Sequence, residues 1–363
     1  MIKSLQVSRG LAAVAVVFFH TWLIIFEYSG IRIFEPVAVY GFLGVNYFFI
    51  LSGFIIMMAH QRDISKPDRT VHYLNRRFTR VYPVYWIYLC LYIAAAAAGL
   101  GKPDFSWAPG DMLQSFALFY VGPAAAPPPL NVAWTLFYEI RFYLIFVLLI
   151  LDKRLGIAAL AVWAAAILIL PHQHGYLNYV QSYWNINFLL GMGAYLISQR
   201  APPRYWYVSL GIGAAVLLAV FTHIDVLTIK GENGIYILPI GFGFAALVLG
   251  FVMLEKHKVR AVPAPFMFLG DASYSIYLVH SGVISVGAIV AKKLGLFGNL
   301  PNPILFAAIF IPAVVAGCVA FVAVERPLTT FIRERGKSKG AAPKPTTIEI
   351  VSQSTEPEKP SAT

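Results

Sequence analysis

The stretch SRGLAAVAVVFFHTW, residues 8–22, starts on Arg9, runs through ten apolar or small residues and then carries His20. Its reading decides the fold, because runs of the same character recur along the chain. Ten are found, at roughly 11–28, 37–59, 80–100, 131–151, 155–171, 182–198, 205–222, 235–254, 272–291 and 304–324. About twenty apolar residues are what a helix needs to cross a bilayer core. The chain of 363 residues is 59% hydrophobic and only 12% charged. A soluble domain is nearer half apolar and about a quarter charged, so the excess faces lipid. The expected fold is an all-α polytopic membrane protein with about ten transmembrane helices. No small-residue cleavage site follows the first run cleanly, so it reads as a span and not as a removed leader. Cys90 and Cys318 lie inside apolar runs, which argues against a disulfide framework.

A net charge of +11 raises the question of nucleic acid, but its placement answers otherwise. Of 28 Lys and Arg residues, 22 fall in segments on the same side as the N-terminus. Five (Arg32, Lys102, Lys230, Lys292 and Lys293) fall on the other, and Arg141 is within a span. This is the positive-inside pattern, so both termini are expected in the cytosol. Residues 1–335 form one membrane domain. The remainder, 336–363, is rich in Lys, Pro, Ser, Thr and Glu and reads as a disordered cytosolic tail. The segment 101–130 holds an apolar piece, MLQSFALFYV, too short to span and suited to lie at the interface or re-enter. There is no internal repeat and no soluble catalytic domain, so any chemistry belongs to the membrane helices.

A charged side chain at mid-bilayer costs roughly 2.5–3.5 kcal/mol on insertion scales, so such residues mark function or a buried partner. His20, Glu139, Arg141 and His280 qualify. His20 follows Arg9 by about 16 Å of helical rise and almost three whole turns, which puts both on one face. A neutral imidazole packs cheaply and also suits general-base work near neutral pH. In NVAWTLFYEIRFYLIF (131–146), Glu139 shares a face with Thr135 and Tyr143, while Arg141 follows Trp134 and Tyr138. Two positions apart on a helix, Glu139 and Arg141 cannot neutralise each other, so each needs a partner elsewhere. Glu139 is expected at a depth similar to His20, either in an ion-pair network or orienting that histidine. GDASYSIYLVHSG (270–282) sets Ser273, Tyr277 and His280 at i, i+4 and i+7, a polar stripe that serves helix packing or chemistry.

The other marked positions are simpler. Gly41, Gly44, Ser52 and Gly53 in the second span permit close helix contact, with Asn46 its one strongly polar residue. HYLNRRFTRVYPVYW (72–86) reads as a cytosolic loop entering the membrane, with Pro83 one turn into the helix. Its Arg76, Arg77 and Arg80 suit either anchoring on anionic lipid or a clamp for a phosphorylated ligand such as a coenzyme A diphosphate. His172 and His174 lack a carboxylate or cysteine companion, so no metal site is expected. Glu325 and Arg326 close the last span, with Pro327 as its stop.

Taken in order, SRGLAAVAVVFFH, GFLGVNYFFILSGFI, RRFTRVYPVYW, WTLFYEIRFY, SYSIYLVH and ERP resemble acyltransferase family 3, and the spelling is most similar to its exopolysaccharide acetyltransferase branch. These are membrane O-acyltransferases of bacterial surface polysaccharides. The resemblance runs from about residue 3 to 330. It implies acetyl-CoA from the cytosol as acyl donor, and a glycan or lipid-linked glycan as acceptor at the bacterial inner membrane. It also implies catalytic His20 and Glu139, support from Arg9, Arg141, Tyr277 and His280, and donor binding by Arg76, Arg77 and Arg80. Nucleic acid is not an expected partner; membrane lipid is. A different class of function, a proton-coupled secondary transporter or flippase relaying protons through His20, Glu139 and His280, would also use intramembrane ionisable groups. Such transporters usually show two related halves with interrupted helices, which this sequence lacks.

Overall fold

A computed structural model describes residues 2–100, 105–120, 127–171, 176–224, 234–258 and 261–338. Among these residues every regular element is helical. The long helices are α1 (Lys3–Ser29), α2 (Gly44–His60), α3 (Thr70–Ala97), α4 (Trp134–Leu151), α5 (Lys153–Ile169), α6 (Ile186–Arg200), α7 (Trp206–His223), α8 (Ile237–His257), α9 (Ala264–Lys293) and α10 (Asn302–Ala320). A π turn, Phe321–Glu325, joins α10 to α11 (Arg326–Ser338). Each of the ten apolar stretches is therefore helical, the form that satisfies every backbone N–H and C=O without water. Among the described residues eight helical stretches are long and apolar enough to cross a membrane, which makes this an integral membrane protein. α5 and α6, of 17 and 15 residues, are shorter. Leu11, Ile169 and Val162 remain at least half exposed, as lipid-facing residues do.

Close backbone contacts set the register of the bundle. A Cβ on Gly191 of α6 would overlap the Ile50 carbonyl of α2, and one on Gly53 would overlap the Phe188 carbonyl. Gly270 of α9 is similarly closed by the Gln6 carbonyl of α1. Small residues at these crossings let helices approach where lipid offers no hydrophobic drive. The first two N–H groups of α1 are capped from α8: Lys3 N and Ser4 N donate to the Glu255 carboxylate at 2.8 and 2.7 Å.

Two expectations about element ends are corrected. The helix bearing Arg76, Arg77 and Arg80 begins at Thr70, so these residues stand on α3 itself and not in a loop, and Pro83 lies mid-helix. Pro327 does not stop the last span; it lies within one helical stretch that runs from Asn302 to Arg335, just after the π turn. The apolar piece after residue 111 dips into the bundle. It lies on a short helix, Pro109–Ala117, whose last carbonyls accept hydrogen bonds from Tyr82 (to Ala117, 2.7 Å), Tyr85 (to Ser115, 2.8 Å) and Trp86 (to Phe116, 2.9 Å), midway along α3. Such irregular backbone survives at membrane depth only with partners of this kind. His172 and His174 lie outside the described residues, as does the tail beyond Ser338.

Candidate active site

The stripe on α9 measures depth through the site. Ser273, Tyr277 and His280 span about 10 Å of rise, and each meets a different marked residue. Arg9 Nη2 donates to Ser273 Oγ at 2.9 Å, the Tyr277 hydroxyl lies 3.1 Å from Thr135 Oγ1, and His280 Nε2 lies 3.2 Å from His20 Nδ1. The three layers thus connect α1, α4 and α9.

The histidine layer has a defined protonation pattern. His280 Nδ1 faces the Ile276 carbonyl at 3.1 Å and His20 Nδ1 faces the Val16 carbonyl at 2.9 Å. A carbonyl only accepts, so both Nδ1 atoms carry the proton. His280 Nε2 is then an acceptor, and it receives the His20 Nδ1–H together with Val16. In a neutral His20 the unprotonated nitrogen is then Nε2. The ring of His280 is fully buried, and the two imidazoles stand 5.0 Å apart.

One turn inward is the Tyr277 layer. Its hydroxyl donates to the Val132 carbonyl at 3.1 Å, pinning the start of α4 inside the bundle. Glu139 lies a further turn inward, where Ser52 Oγ donates to Oε1 at 2.9 Å and the Tyr143 hydroxyl donates to the same atom. This corrects the expected role of Glu139. From Thr135 it is about 6 Å inward, while His280 is about 4.5 Å outward of Tyr277, so the carboxylate and the histidine pair are about 10 Å apart in depth. Glu139 has no hydrogen bond or ion pair with His20; His280 takes that place. Arg141, buried on another face of α4, donates from Nη1 to the Tyr179 carbonyl at 2.8 Å and covers the Tyr138 ring. It joins neither Glu139 nor the histidines.

The innermost layer collects the arginines. Arg9 also contacts Gln6 Oε1 at 3.3 Å and lies within electrostatic reach of Arg80, Glu325, Glu139 and Asp271. Arg80 pairs with Glu325 at 3.7 Å and lies over the Tyr274 ring. Arg77 lies over Tyr143, and its Nη2 meets His60 Nε2 at 3.3 Å. Arg76 is exposed. The three arginines of α3 therefore hold three separate positions.

Sequence reasoning marked Glu325 only as the close of the last span and left its partners unmarked. Glu325, only 3% exposed, accepts from Ser275 N and Oγ at 3.2 and 2.7 Å, and the π turn delivers it there. Such turns often mark functional positions. His60 and Asp63 were equally unmarked, although a histidine at the end of an apolar run is a visible signal. No cluster of metal-ligating residues occurs among the described residues.

Comparison with known proteins adds to this geometry. The pattern of the acyltransferase domain matches residues 2–323. The exopolysaccharide production protein ExoZ of Rhizobium meliloti (strain 1021) is 33% identical over 320 residues, which are 83% of this chain and 94% of that protein. A putative acetyltransferase, ORF330 of Acidianus two-tailed virus, is 25% identical over 79% of this chain and 84% of its own length. The peptidoglycan O-acetyltransferase OatA of Listeria monocytogenes is 25% identical over 78% of this chain but only 50% of that protein, so the match spans half of OatA. No solved structure matches the chain.

Proposed function

The chain belongs to the acyltransferase domain family, and from that premise we propose the reaction: transfer of an acetyl group from cytosolic acetyl-CoA to a hydroxyl of a surface or extracellular polysaccharide, or of its lipid-linked precursor. The setting is the bacterial inner membrane, with the Lys3 end of α1 toward the cytosol. The observation that carries the reading is the 3.2 Å contact between His20 and His280, with Arg9 bonded to the same helix toward its Ala264 end. ExoZ, with its role in exopolysaccharide production, and OatA, an O-acetyltransferase of peptidoglycan, support a glycan acceptor.

In this reading Arg76, Arg77 and Arg80 hold the phosphates of the coenzyme at the inner mouth, with Arg9 above them. The fit rests on the guanidinium groups themselves: Arg76 is exposed, and Arg77 Nε is buried with no protein partner. A forked guanidinium matches phosphate oxygens, which an ammonium cannot do in bidentate fashion. The thioester extends outward past Arg9 to His20. His20 Nε2 takes the proton of the acceptor hydroxyl, the oxygen attacks the thioester carbonyl, and the carbon–sulfur bond breaks to release the thiolate. The imidazolium formed keeps its Nδ1–H on His280, and a hydrogen bond from a charged donor is about twice as strong as a neutral one. Tyr277 and Thr135 hold α9 and α4 in register, and Glu139 and Glu325 offset the arginine charge.

The test is acetylation in cells whose only copy carries His20→Ala. Loss of polysaccharide acetyl groups with the protein still inserted is expected; retained acetylation refutes the catalytic assignment. Wild-type acetyl-CoA binding after Arg76→Ala with Arg77→Ala refutes the clamp.

A further inference from the structure

His60 ends α2 with its side chain completely buried. Its Nδ1 lies 2.8 Å from Asp63 Oδ2. A carboxylate only accepts, so Nδ1 carries the proton and Nε2 is bare. That bare nitrogen meets Arg77 Nη2 at 3.3 Å, and a guanidinium only donates. Both neighbours therefore demand the same tautomer. The ring stands edge-on to Tyr73, 4.8 Å between centroids. Tyr73 and Tyr143 carry the Arg77 guanidinium at 6.0 and 5.7 Å, and the Tyr73 hydroxyl donates to the Tyr143 carbonyl at 3.1 Å. Asp63 is held in turn by Arg69 at 3.9 Å. Arg77 is thus fixed through one nitrogen and its flat faces. Its Nε is buried and makes no hydrogen bond to the described residues.

We propose that Asp63 and His60 are positioning residues for the donor: Asp63 sets the His60 tautomer, and His60 presents Arg77 with its remaining N–H groups aimed at a phosphate of the acyl donor. The inference rests on the reading that Arg77 contacts the donor. Arginine's flexible stem normally loses much rotamer freedom when it clamps an anion, and a preset guanidinium removes that loss before binding. Neither residue reaches the reacting atoms, so the effect belongs to donor affinity and not to the chemical step.

Three substitutions of one residue test it in the purified full chain. His60→Phe keeps the ring against Tyr73 and removes both bonds. His60→Gln places an acceptor where Nε2 stood and serves Arg77 alone. His60→Asn places a donor where Nδ1 stood and serves Asp63 alone. The readouts are acetyl-CoA affinity by titration, donor KM and kcat at saturating acceptor, and thermal unfolding. The expected result is about tenfold weaker donor binding for His60→Phe and His60→Asn, with kcat unchanged, and near-wild-type binding for His60→Gln. If His60→Asn binds as wild type while His60→Gln does not, the contact to Asp63 is only structural and the proposal is overturned. Wild-type affinity in all three overturns it as well. If His60→Phe unfolds, the Gln and Asn pair decides. Arg77→Ala runs alongside: wild-type binding there refutes the clamp itself, whereas weakened binding there with unaffected His60 variants refutes only the positioning role.

Discussion

Replacing His280 by leucine and by glutamine separates a chemical role of the histidine pair from simple packing. Leucine keeps an apolar volume against Ile276 and deletes the acceptor that faces His20 Nδ1 at 3.2 Å. Glutamine places Oε1 near the lost Nε2 and restores an acceptor. In the resting enzyme His20 keeps a second acceptor, the Val16 carbonyl at 2.9 Å, so its tautomer survives either change. The cost therefore falls on the transition state, where proton uptake at Nε2 makes the Nδ1–H bond charge-assisted. Hydrogen bonds to charged groups are worth about 1.5–3 kcal/mol, and about 1.4 kcal/mol is tenfold in rate. His280→Leu should lower kcat about 10- to 100-fold with donor KM unchanged, and His280→Gln should recover most of the loss. His20→Ala should be lower than either. The assay is thiol release by the purified protein, alongside polysaccharide acetyl content in cells at matched membrane levels. Wild-type kcat for inserted His280→Leu, or glutamine no better than leucine, refutes the charge-assisted pair.

Other outcomes follow from the same geometry. Glu139→Gln should leave the pH profile of kcat in place, because its carboxylate bonds Ser52 and Tyr143 and not His20; a displaced profile restores direct coupling. Gly191→Ala drives a methyl into the Ile50 carbonyl and should destabilise the fold by at least about 1–3 kcal/mol. Gly193→Ala, on the same helix with open space around it, should be neutral or gain about 0.5–1 kcal/mol; thermal unfolding in detergent compares the two. With donor alone, intact-protein mass spectrometry should find no acetyl adduct on His20; a stoichiometric adduct there replaces the base mechanism with a covalent one.

Helical period reveals which residues share a face but not what that face meets. The Arg9–His20 face and the Ser273–Tyr277–His280 stripe were therefore readable, since both need only 3.6 residues per turn. That the two meet is information carried by contacts 260 positions apart, which no local pattern holds. Depth failed for a related reason. Glu139 was placed by counting from an assumed boundary at Asn131, but α4 starts inside the bundle, where Tyr277 holds the Val132 carbonyl. The count was correct and its origin was not. Hydropathy likewise located the apolar half of α3 and missed its polar first turns from Thr70. His60 escaped notice because its partners, Asp63 three positions on and Arg77 on the next helix, become meaningful only once α2 and α3 are folded side by side.

Charge along the layers argues for how donor and acceptor share the site. Arg76 is exposed, Arg80 keeps 43% of its side chain accessible, and Arg77 and Arg9 are half-buried. Beyond Arg9 comes the hydroxyl layer of Tyr277 and Thr135, and then two neutral histidines. Moving a phosphate past Arg9 would strip its water with no cation to replace it, and burying an ion carries an effective penalty of several kcal/mol. The neutral thioester arm faces no such barrier. From the Tyr274 level beneath Arg80 to His280 is six residues, about 9 Å of rise. On the proposed function, a donor whose phosphates stay at the arginines reaches His20 with its neutral thioester arm alone. On the same proposal, the acceptor hydroxyl approaches from the Ser29 end of α1, opposite the arginines of α3.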